Sequence, residues 1–203
     1  MTNGETEFLC RELDQATCYF EYGAGESTKL AARRGNLSRI VSTESDRDFI
    51  ESELMSDADV RSSVNAGRLE FVAVDVGPTG RWGRPADRSK RHQWPDYPKV
   101  ISKSQTPWDL VLVDGLFRVA CVAEVMLQQP EAKLFVHDFW RRKRYRPVFR
   151  FCEEVESVDE LVLLRRKPDV SNDVILKVFD RYAYLPSGVT WLQSVQSRFG
   201  VRV

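Results

Sequence analysis

The sequence predicts an α/β fold with a doubly wound, mostly parallel sheet and an antiparallel hairpin at one edge. Short apolar runs rich in β-branched and aromatic residues alternate along the chain with helical patterns. Most of these runs are apolar at nearly every position, which is typical of strands buried on both faces of a parallel sheet. The chain of 203 residues has the length of a single domain. We expect its core over about 17–167 and a C-terminal helical extension over 168–203.

Five strands are predicted for the parallel part of the sheet. They cover residues 18–22, 39–43, 69–76, 108–114 and 133–139. After the fifth strand, residues 153–167 form two short runs around a turn. This pattern predicts the antiparallel hairpin at the edge of the sheet.

Helices are predicted between these strands and after them. The first covers about 27–34, and Ser45 with Asp48 resembles a capping box that starts the second. A third helix follows the fourth strand, and another spans 170–182. For residues 186–203 the expectation is a terminal helix.

Composition excludes several classes of protein. No apolar run approaches the roughly 20 residues of a membrane-spanning helix. The N-terminal sequence MTNGETEFLCRELDQA has no secretion signal, so we expect a cytoplasmic protein. The four cysteines form no CxxC pair, which argues against a disulfide or zinc framework.

Residues 77–107 form a long irregular stretch that we expect to act as a lid-like insert. They contain five prolines, three glycines and two tryptophans. The insert leaves the carboxyl end of the third strand, which is the ligand side of such a sheet. It carries seven basic and two acidic residues, and a second basic run, WRRKRYR, spans 140–146. The net charge of the whole chain is nevertheless zero.

The first turn between a strand and a helix has the sequence EYGAGEST. Gly23 and Gly25 allow a tight turn and a close approach to a ligand, and the following helix offers free N–H groups. A dinucleotide-binding fingerprint would have a third glycine at the position of Thr28. Glu26 would also repel a pyrophosphate. The turn therefore suits a ligand with a positive charge and one carboxylate better than it suits NAD, and a plain tight turn is the alternative.

Acidic residues end three of the predicted strands. Glu44, about 20 residues after the glycine turn, can accept hydrogen bonds from both hydroxyls of a ribose. The alternative is a favourable charge at a helix N-terminus. Asp75 and Val76 end the third strand, where a polar atom and an apolar wall can hold an adenine. Asp114 and Gly115 end the fourth strand.

These motifs resemble the Rossmann-like class I S-adenosylmethionine-dependent methyltransferases over roughly residues 17–167. The segments GPTGRWGRP, VDGLFRVAC and VHDFWRRKRY also resemble small, poorly characterised bacterial methyltransferase-like proteins. The resemblance implies S-adenosylmethionine as cofactor and S-adenosylhomocysteine as product. The implied cofactor-binding residues are Glu21, Gly23, Gly25, Ser27, Glu44, Asp75, Val76, Asp114 and Gly115. No Asn/Asp-Pro-Pro-aromatic motif follows the fourth strand, which disfavours methylation of a nucleobase or amide nitrogen by that route.

His137, Asp138 and Asp114 are the candidate catalytic residues. A histidine near neutral pKa can take a proton from an attacking hydroxyl, and either carboxylate could orient it. The equally weighted alternative is a structural histidine. A metal site formed by the same three residues is disfavoured because they lack a ligand spacing signature.

The basic segments suggest how a substrate is recognised. Both leave the carboxyl edge of the sheet, so we expect an electropositive rim that attracts an anionic small molecule. The candidate substrate-binding residues are Arg118, Arg141, Tyr145 and Trp82. Nucleic acid is disfavoured by a sequence pI of about 6.8, no membrane partner is expected, and a homodimer is left open.

Three functions follow from these features, in decreasing order of support. The first is an S-adenosylmethionine-dependent methyltransferase acting on the oxygen or nitrogen of a small, anionic acceptor. The second is a cofactor-binding regulatory or partner protein without catalysis. The third is an NAD-type oxidoreductase, which Glu26 and Thr28 disfavour.

Overall fold

A single seven-stranded sheet organises the computed structural model, which describes residues 1–187. Its strand order is β3-β2-β1-β4-β5-β7-β6. The first five strands are parallel, whereas β7 is antiparallel to both β5 and β6. The strands are β1 (Cys18–Tyr22), β2 (Arg39–Glu44), β3 (Leu69–Ala73), β4 (Leu110–Val113), β5 (Lys133–Val136), β6 (Cys152–Val158) and β7 (Leu161–Arg166). The predicted parallel sheet and edge hairpin are confirmed.

In the described residues 1–187, six helices lie on the two faces of the sheet. They are α1 (Asn3–Leu13), α2 (Glu26–Ala32), α3 (Arg47–Phe49), α4 (Ala58–Asn65), α5 (Arg118–Gln128) and α6 (Asn172–Tyr182). Helix α3 continues as a π-helical turn over Ile50–Leu54. The predicted capping residue after β2 was Ser45, but Asp46 caps α3, since its side chain accepts a hydrogen bond from the Phe49 N–H.

Helix α1 has no counterpart among the predicted elements. Thr2 and Glu5 form a capping box at its N-terminus, in which each side chain accepts a hydrogen bond from the other residue's backbone N–H. The pair Thr2 and Glu5 is visible in the sequence as a capping signal. Leu9 and Leu13 then bury the inner face of the helix.

Alternate residues along the strands point to opposite faces and enter two separate cores. In β4, Leu110 and Leu112 pack with α1, α2 and α4, whereas Val111 and Val113 pack with α5, α6 and the insert. Both faces of the central strands are therefore buried, which explains why their sequences are continuously apolar.

Three strands end earlier than predicted. Strand β3 ends at Ala73, β4 at Val113 and β5 at Val136. The last predicted residues of each run leave the sheet and form the loops at its carboxyl edge. Apolar character continues into those loops because residues such as Val76 and Phe139 are buried beside the sheet.

The 77–107 insert is built from short 3₁₀ turns. These turns span Arg81–Gly83, Arg91–Asp96 and Pro98–Lys103. Trp94 and Tyr97 are buried and join the same apolar core as α5. The insert is thus anchored to the domain by its aromatic side chains.

The hairpin β6–β7 lies at one end of the sheet, and β6 is the edge strand there. Its pairing with β7 shifts register between Glu154 and Glu156, where the strand bulges. After β7 the chain enters α6, which lies within the predicted 170–182 and packs against α5. The terminal helix expected over 186–203 falls almost entirely outside the described residues.

Among residues 1–187, no helix is long and apolar enough to cross a membrane.

Candidate active site at the carboxyl edge of the sheet

The turn after β1 makes an unusually close contact with the turn after β4. Gly23 has a φ of 91°, and a Cβ atom built on it would lie 2.6 Å from the backbone nitrogen of Gly115. No residue with a side chain fits this position without moving the backbone. The ends of β1 and β4 therefore meet at two predicted cofactor-binding glycines.

Glu21 lies beneath this turn rather than beside a ligand. Its side chain has no exposed surface, and its carboxylate accepts hydrogen bonds from four hydroxyl groups. These belong to Tyr19, Ser27, Thr28 and Ser42. Burial raises the pKa of Glu21, and the four hydrogen bonds oppose that increase. The structure thus differs from the expectation that Glu21 and Ser27 bind the cofactor: both hold α2 against the sheet.

Glu44, at the end of β2, faces the β1 turn. Its Oε2 accepts a hydrogen bond from the Ala24 backbone N–H at 3.3 Å. Its Oε1 accepts further bonds from the backbone N–H groups of Ser45 and Asp46, at 2.6 and 3.2 Å. Burial raises the pKa of Glu44, and these hydrogen bonds favour the ionised form. The glycine turn and the acidic end of β2 thus converge on one site.

The insert covers this site at several points. The Ser45 hydroxyl donates to the carbonyl of Gly83 at 2.9 Å, beside Glu44. The indole N–H of Trp94 donates to the Val76 carbonyl at 3.0 Å. The cleft between the β1, β2 and β3 turns is therefore closed by the insert in this structure.

Two more contacts complete the closure. The Tyr97 hydroxyl lies so close to Gly115 that a Cβ atom there would collide with it. Asp75 is exposed and forms an ion pair with Lys90 of the insert, which lowers the pKa of Asp75. Clefts of about 560 and 670 Å³ lie instead at the opposite, amino edge of the parallel strands.

The residues beneath the insert still fit an adenosine-type cofactor. Glu44 presents a carboxylate suited to two neighbouring hydroxyls, and Val76 supplies a buried apolar wall next to Asp75. A Cβ atom at Gly25 would meet nothing within 4 Å, so this side of the turn has room for a ligand. The fit requires the insert to move away from Glu44 and Gly115.

His137, which follows β5, is held by two carboxylates. Its Nδ1 lies 3.1 Å from Asp114, and its Nε2 lies 3.3 Å from Glu5 of α1. Burial disfavours the charged imidazolium, but the hydrogen bond and charge of Asp114, with the charges of Asp138 and Glu5, outweigh it and raise the pKa of His137. With both ring nitrogens engaged, His137 has no free nitrogen for the predicted role of general base. The geometry favours the structural alternative.

Arg118 connects the turns after β4 and β5. Its guanidinium donates to the carbonyls of Gly115 and Asp114, at 2.9 and 2.6 Å, and to that of His137. It also pairs with the Asp114 carboxylate at 2.8 Å. Although burial acts in the opposite direction, the hydrogen bond with His137 and the charge of Arg118 lower the pKa of Asp114. Arg118 therefore holds the turns after β4 and β5 together at the carboxyl edge of the sheet.

The three residues of the disfavoured metal site do lie close together. Asp114, His137 and Asp138 each bring a ligand atom within 4.8 Å of the others. However, the cations at these carboxylates are guanidinium groups, since Arg118 pairs with Asp114 and Arg142 pairs with Asp138 at 2.5 Å. A metal ion would have to displace both arginines.

Left-handed backbone conformations mark the same edge. Phe117 and Asp138, which follow β4 and β5, have φ angles of 51° and 58°, and Trp82 in the insert has a φ of 65°. Such conformations cost roughly 1–3 kcal/mol in residues other than glycine and cluster at functional sites. Phe117 is buried and Asp138 pairs with Arg142, so contacts at this edge hold both residues in place.

The predicted substrate-binding residues differ in position. Tyr145 is buried, with the guanidinium groups of Arg118 and Arg144 over its ring at 5.5 and 5.4 Å. The side chain of Arg141 is 81% exposed and pairs with Glu160 in the β6–β7 turn. Trp82 is 74% exposed. Only Arg118 and Tyr145 lie together beside Asp114.

This architecture defines the class of the protein: the chain has the fold of the class I S-adenosylmethionine-dependent methyltransferases, and the resemblance predicted from its sequence is confirmed. In particular, it is similar to a methyltransferase-like protein from Silicibacter pomeroyi. The two chains share 26% identity at a TM-score of 0.77, over 92% of this chain and 96% of the other. StiE O-MT shares 12% identity at a TM-score of 0.50, over 87% of this chain and 78% of its own, which shows the fold alone. No protein-family model and no curated protein matches the chain.

Proposed function

We propose that the protein is an S-adenosylmethionine-dependent methyltransferase that acts on an oxygen or nitrogen of a small, anionic acceptor. The proposal depends above all on the Glu44 carboxylate, which lies 3.3 Å from the Ala24 N–H of the glycine turn. The similarity to the methyltransferase-like protein from Silicibacter pomeroyi also supports methyl transfer.

The chain would bind the cofactor along the carboxyl ends of β1 to β4. Glu44 would accept the ribose hydroxyls, Val76 would pack against the adenine, and the Gly23 and Gly25 turn would contact the methionine part. When bound, S-adenosylmethionine supplies an electrophilic methyl group on a sulfonium and leaves as S-adenosylhomocysteine. The protein would align the acceptor atom with the methyl carbon and exclude water, for which the insert is suitably placed.

An anionic acceptor fits the state of His137. Its ring nitrogens already contact Asp114 and Glu5, so this residue is poorly placed to remove a proton. An acceptor oxygen that is ionised before it binds needs no general base. The guanidinium groups around Tyr145 would attract such an acceptor.

Calorimetry with S-adenosylhomocysteine tests the proposal. We expect the wild type to bind and Glu44→Gln to lose about tenfold or more in affinity, because a hydrogen bond to a charged group contributes about 1.5–3 kcal/mol. Glu70→Gln is the matched control, since Glu70 is an exposed glutamate on the neighbouring strand β3. Wild-type affinity in Glu44→Gln would remove Glu44 from the site and refute the proposal.

A second candidate is a cofactor-binding partner protein without catalysis. The doubly held His137 favours it, because both ring nitrogens contact carboxylates and neither is free to take a proton from an acceptor. Cofactor binding without transfer of a labelled methyl group to any fraction of cell extract would support it. The NAD-type oxidoreductase is further disfavoured, since the buried Thr28 hydroxyl donates to Glu21 and accepts from the Gly25 N–H.

A further inference from the structure

Two basic segments that are far apart in the chain meet beside Tyr145. Arg84 comes from the insert, whereas Arg142 and Arg144 follow β5. Together with Arg118 of α5, these residues form what we call the arginine cluster: Arg84, Arg118, Arg142 and Arg144. Burial of part of its side chain, and then the positive charges of Arg144, Arg142 and Arg118, lower the pKa of Arg84. Arg118 and Arg144 lie over the same Tyr145 ring.

Half of this cluster lacks an acidic partner. Arg118 pairs with Asp114, and Arg142 pairs with Asp138. Within residues 1–187, the side chains of Arg84 and Arg144 form no ion pair and donate no hydrogen bond. The Nε of Arg144 is moreover buried without a partner. A buried N–H group of this kind is costly unless something accepts its hydrogen bond.

The charge balance of the cluster indicates which kind of ligand could pair with the two unpaired arginines. The four guanidinium groups carry +4, and Asp114 with Asp138 returns −2. His137 and Glu5 cancel each other when the imidazole is protonated. The local surplus is therefore +2. A phosphate monoester carries about −1.5 to −2 at neutral pH, whereas a carboxylate carries only about −1.

We propose that Arg84 and Arg144 bind a phosphate monoester group of the methyl acceptor, over the ring of Tyr145. This inference rests on the proposed function, because it names the acceptor's chemical class. Guanidinium groups bind phosphate oxygens through paired N–H donors and stay charged at all physiological pH values. Arg118 of the cluster pairs with Asp114, next to Gly115, so a phosphate held by the cluster would place the rest of a small acceptor near the cofactor cleft.

A single phosphate fits better than a nucleic acid strand. Arg118 and Arg144 both lie over a single aromatic ring, whereas a groove for a nucleic acid strand spreads its cationic side chains along the backbone. Residues 1–76, which form the other half of the sheet, carry 15 acidic and 8 basic side chains. A strand extended in that direction would meet negative charge.

Calorimetric titration with inorganic phosphate, without cofactor, tests the proposal. We expect phosphate to bind more tightly than acetate at the same ionic strength. Arg144→Gln and Arg84→Gln should each weaken phosphate binding about tenfold, as expected for the loss of a charged donor. Arg150→Gln is the matched control, because it removes an exposed arginine from the 3₁₀ segment Lys143–Arg150, which also contains Arg144, and leaves the cluster intact. Binding should also weaken as the pH falls and inorganic phosphate changes from a dianion to a monoanion.

The outcomes separate this inference from the proposed function. Equal affinity for phosphate and acetate, or unchanged phosphate affinity in both Arg144→Gln and Arg84→Gln, would overturn the phosphate site. Tighter binding of a single-stranded oligonucleotide than of phosphate would also overturn it, in favour of nucleic acid. If S-adenosylhomocysteine binds and phosphate does not, the phosphate site alone is wrong. If phosphate binds and S-adenosylhomocysteine does not, the proposed function is wrong and the anion site stands.

Discussion

The direction of a side chain decided the role of Glu21. In β1, Tyr19 and Glu21 point to one face of the sheet, whereas Phe20 and Tyr22 point to the other. Glu21 therefore faces α2 and its hydroxyl groups. The alternation of a strand could have indicated this orientation, because a residue inside a strand points to a face and only the residues beyond its end point into the loops.

His137 makes the stability of the protein depend on pH. Its pKa is raised in the folded state, so its contribution to stability is fully present below the unfolded pKa of about 6.5. That contribution is lost as the pH rises through the folded pKa. We expect the free energy of unfolding, measured by urea denaturation, to fall as the pH rises from about 6.5, and His137→Gln to abolish most of that decrease.

The other histidine serves as the control for this prediction. His92 lies exposed in the insert, so His92→Gln should keep the pH dependence of the wild type. A wild type whose unfolding free energy is constant across this range would show that His137 is not held by Asp114 and Glu5 in solution.

At the scale of elements, the insert covers the carboxyl edge of the sheet, and the proposed cofactor could bind only after the insert opened. Its backbone at Gly83 packs against Ser45, and its side chains Trp94 and Tyr97 contact Val76 and Gly115. The proposed cofactor needs the same surfaces. Every contact that stabilises the closed insert therefore lowers the apparent affinity for the cofactor.

Weakening the closed state should strengthen cofactor binding. Trp94→Phe removes the hydrogen bond from the indole N–H to the Val76 carbonyl, a loss of about 1 kcal/mol. We expect its affinity for S-adenosylhomocysteine, measured by calorimetry, to rise about fivefold. Trp140→Phe, which changes a tryptophan packed on Phe139 outside the insert, should leave the affinity unchanged. Equal or weaker binding by Trp94→Phe would show that Trp94 does not hold the site closed.

The sequence predicted the existence of the insert but not its internal order. Its prolines, glycines and lack of periodicity indicated an irregular segment on the ligand side. The anchoring by Trp94 and Tyr97 depends on contacts with Phe117, which lies some 20 positions further along the chain. Such contacts leave no local pattern. For the same reason the contact between Glu5 and His137, which are 132 positions apart, could not be predicted.

At the scale of the whole molecule, the fold was more predictable than the site. The parallel sheet and its edge hairpin follow from burial patterns that extend over many residues, such as the continuously apolar β4. The convergence of Gly23 with Glu44 also follows, because parallel strands end at one edge. The pairing of Arg118, Arg142 and Asp138 does not, since ion pairs at an edge depend on side-chain geometry in loops.

The uneven distribution of charge over the molecule predicts a salt effect. The 77–107 insert and residues 140–146 are basic, whereas residues 1–76 have a net charge of −7. Raising the salt concentration from about 0.05 to 0.5 M should weaken phosphate binding severalfold, because the added ions screen the cluster. The affinity for S-adenosylhomocysteine should change by less than about twofold. Phosphate affinity that is the same at both salt concentrations would argue against an electrostatic rim.

The bulged hairpin strand has a consequence for how copies of the molecule could associate. Strand β6 contains Glu153, Glu154 and Glu156, and its register shift interrupts the regular spacing of backbone donors and acceptors. Two such strands brought together would set like charges opposite one another on a twisted, interrupted edge. Association of two copies through their β6 strands is thereby disfavoured.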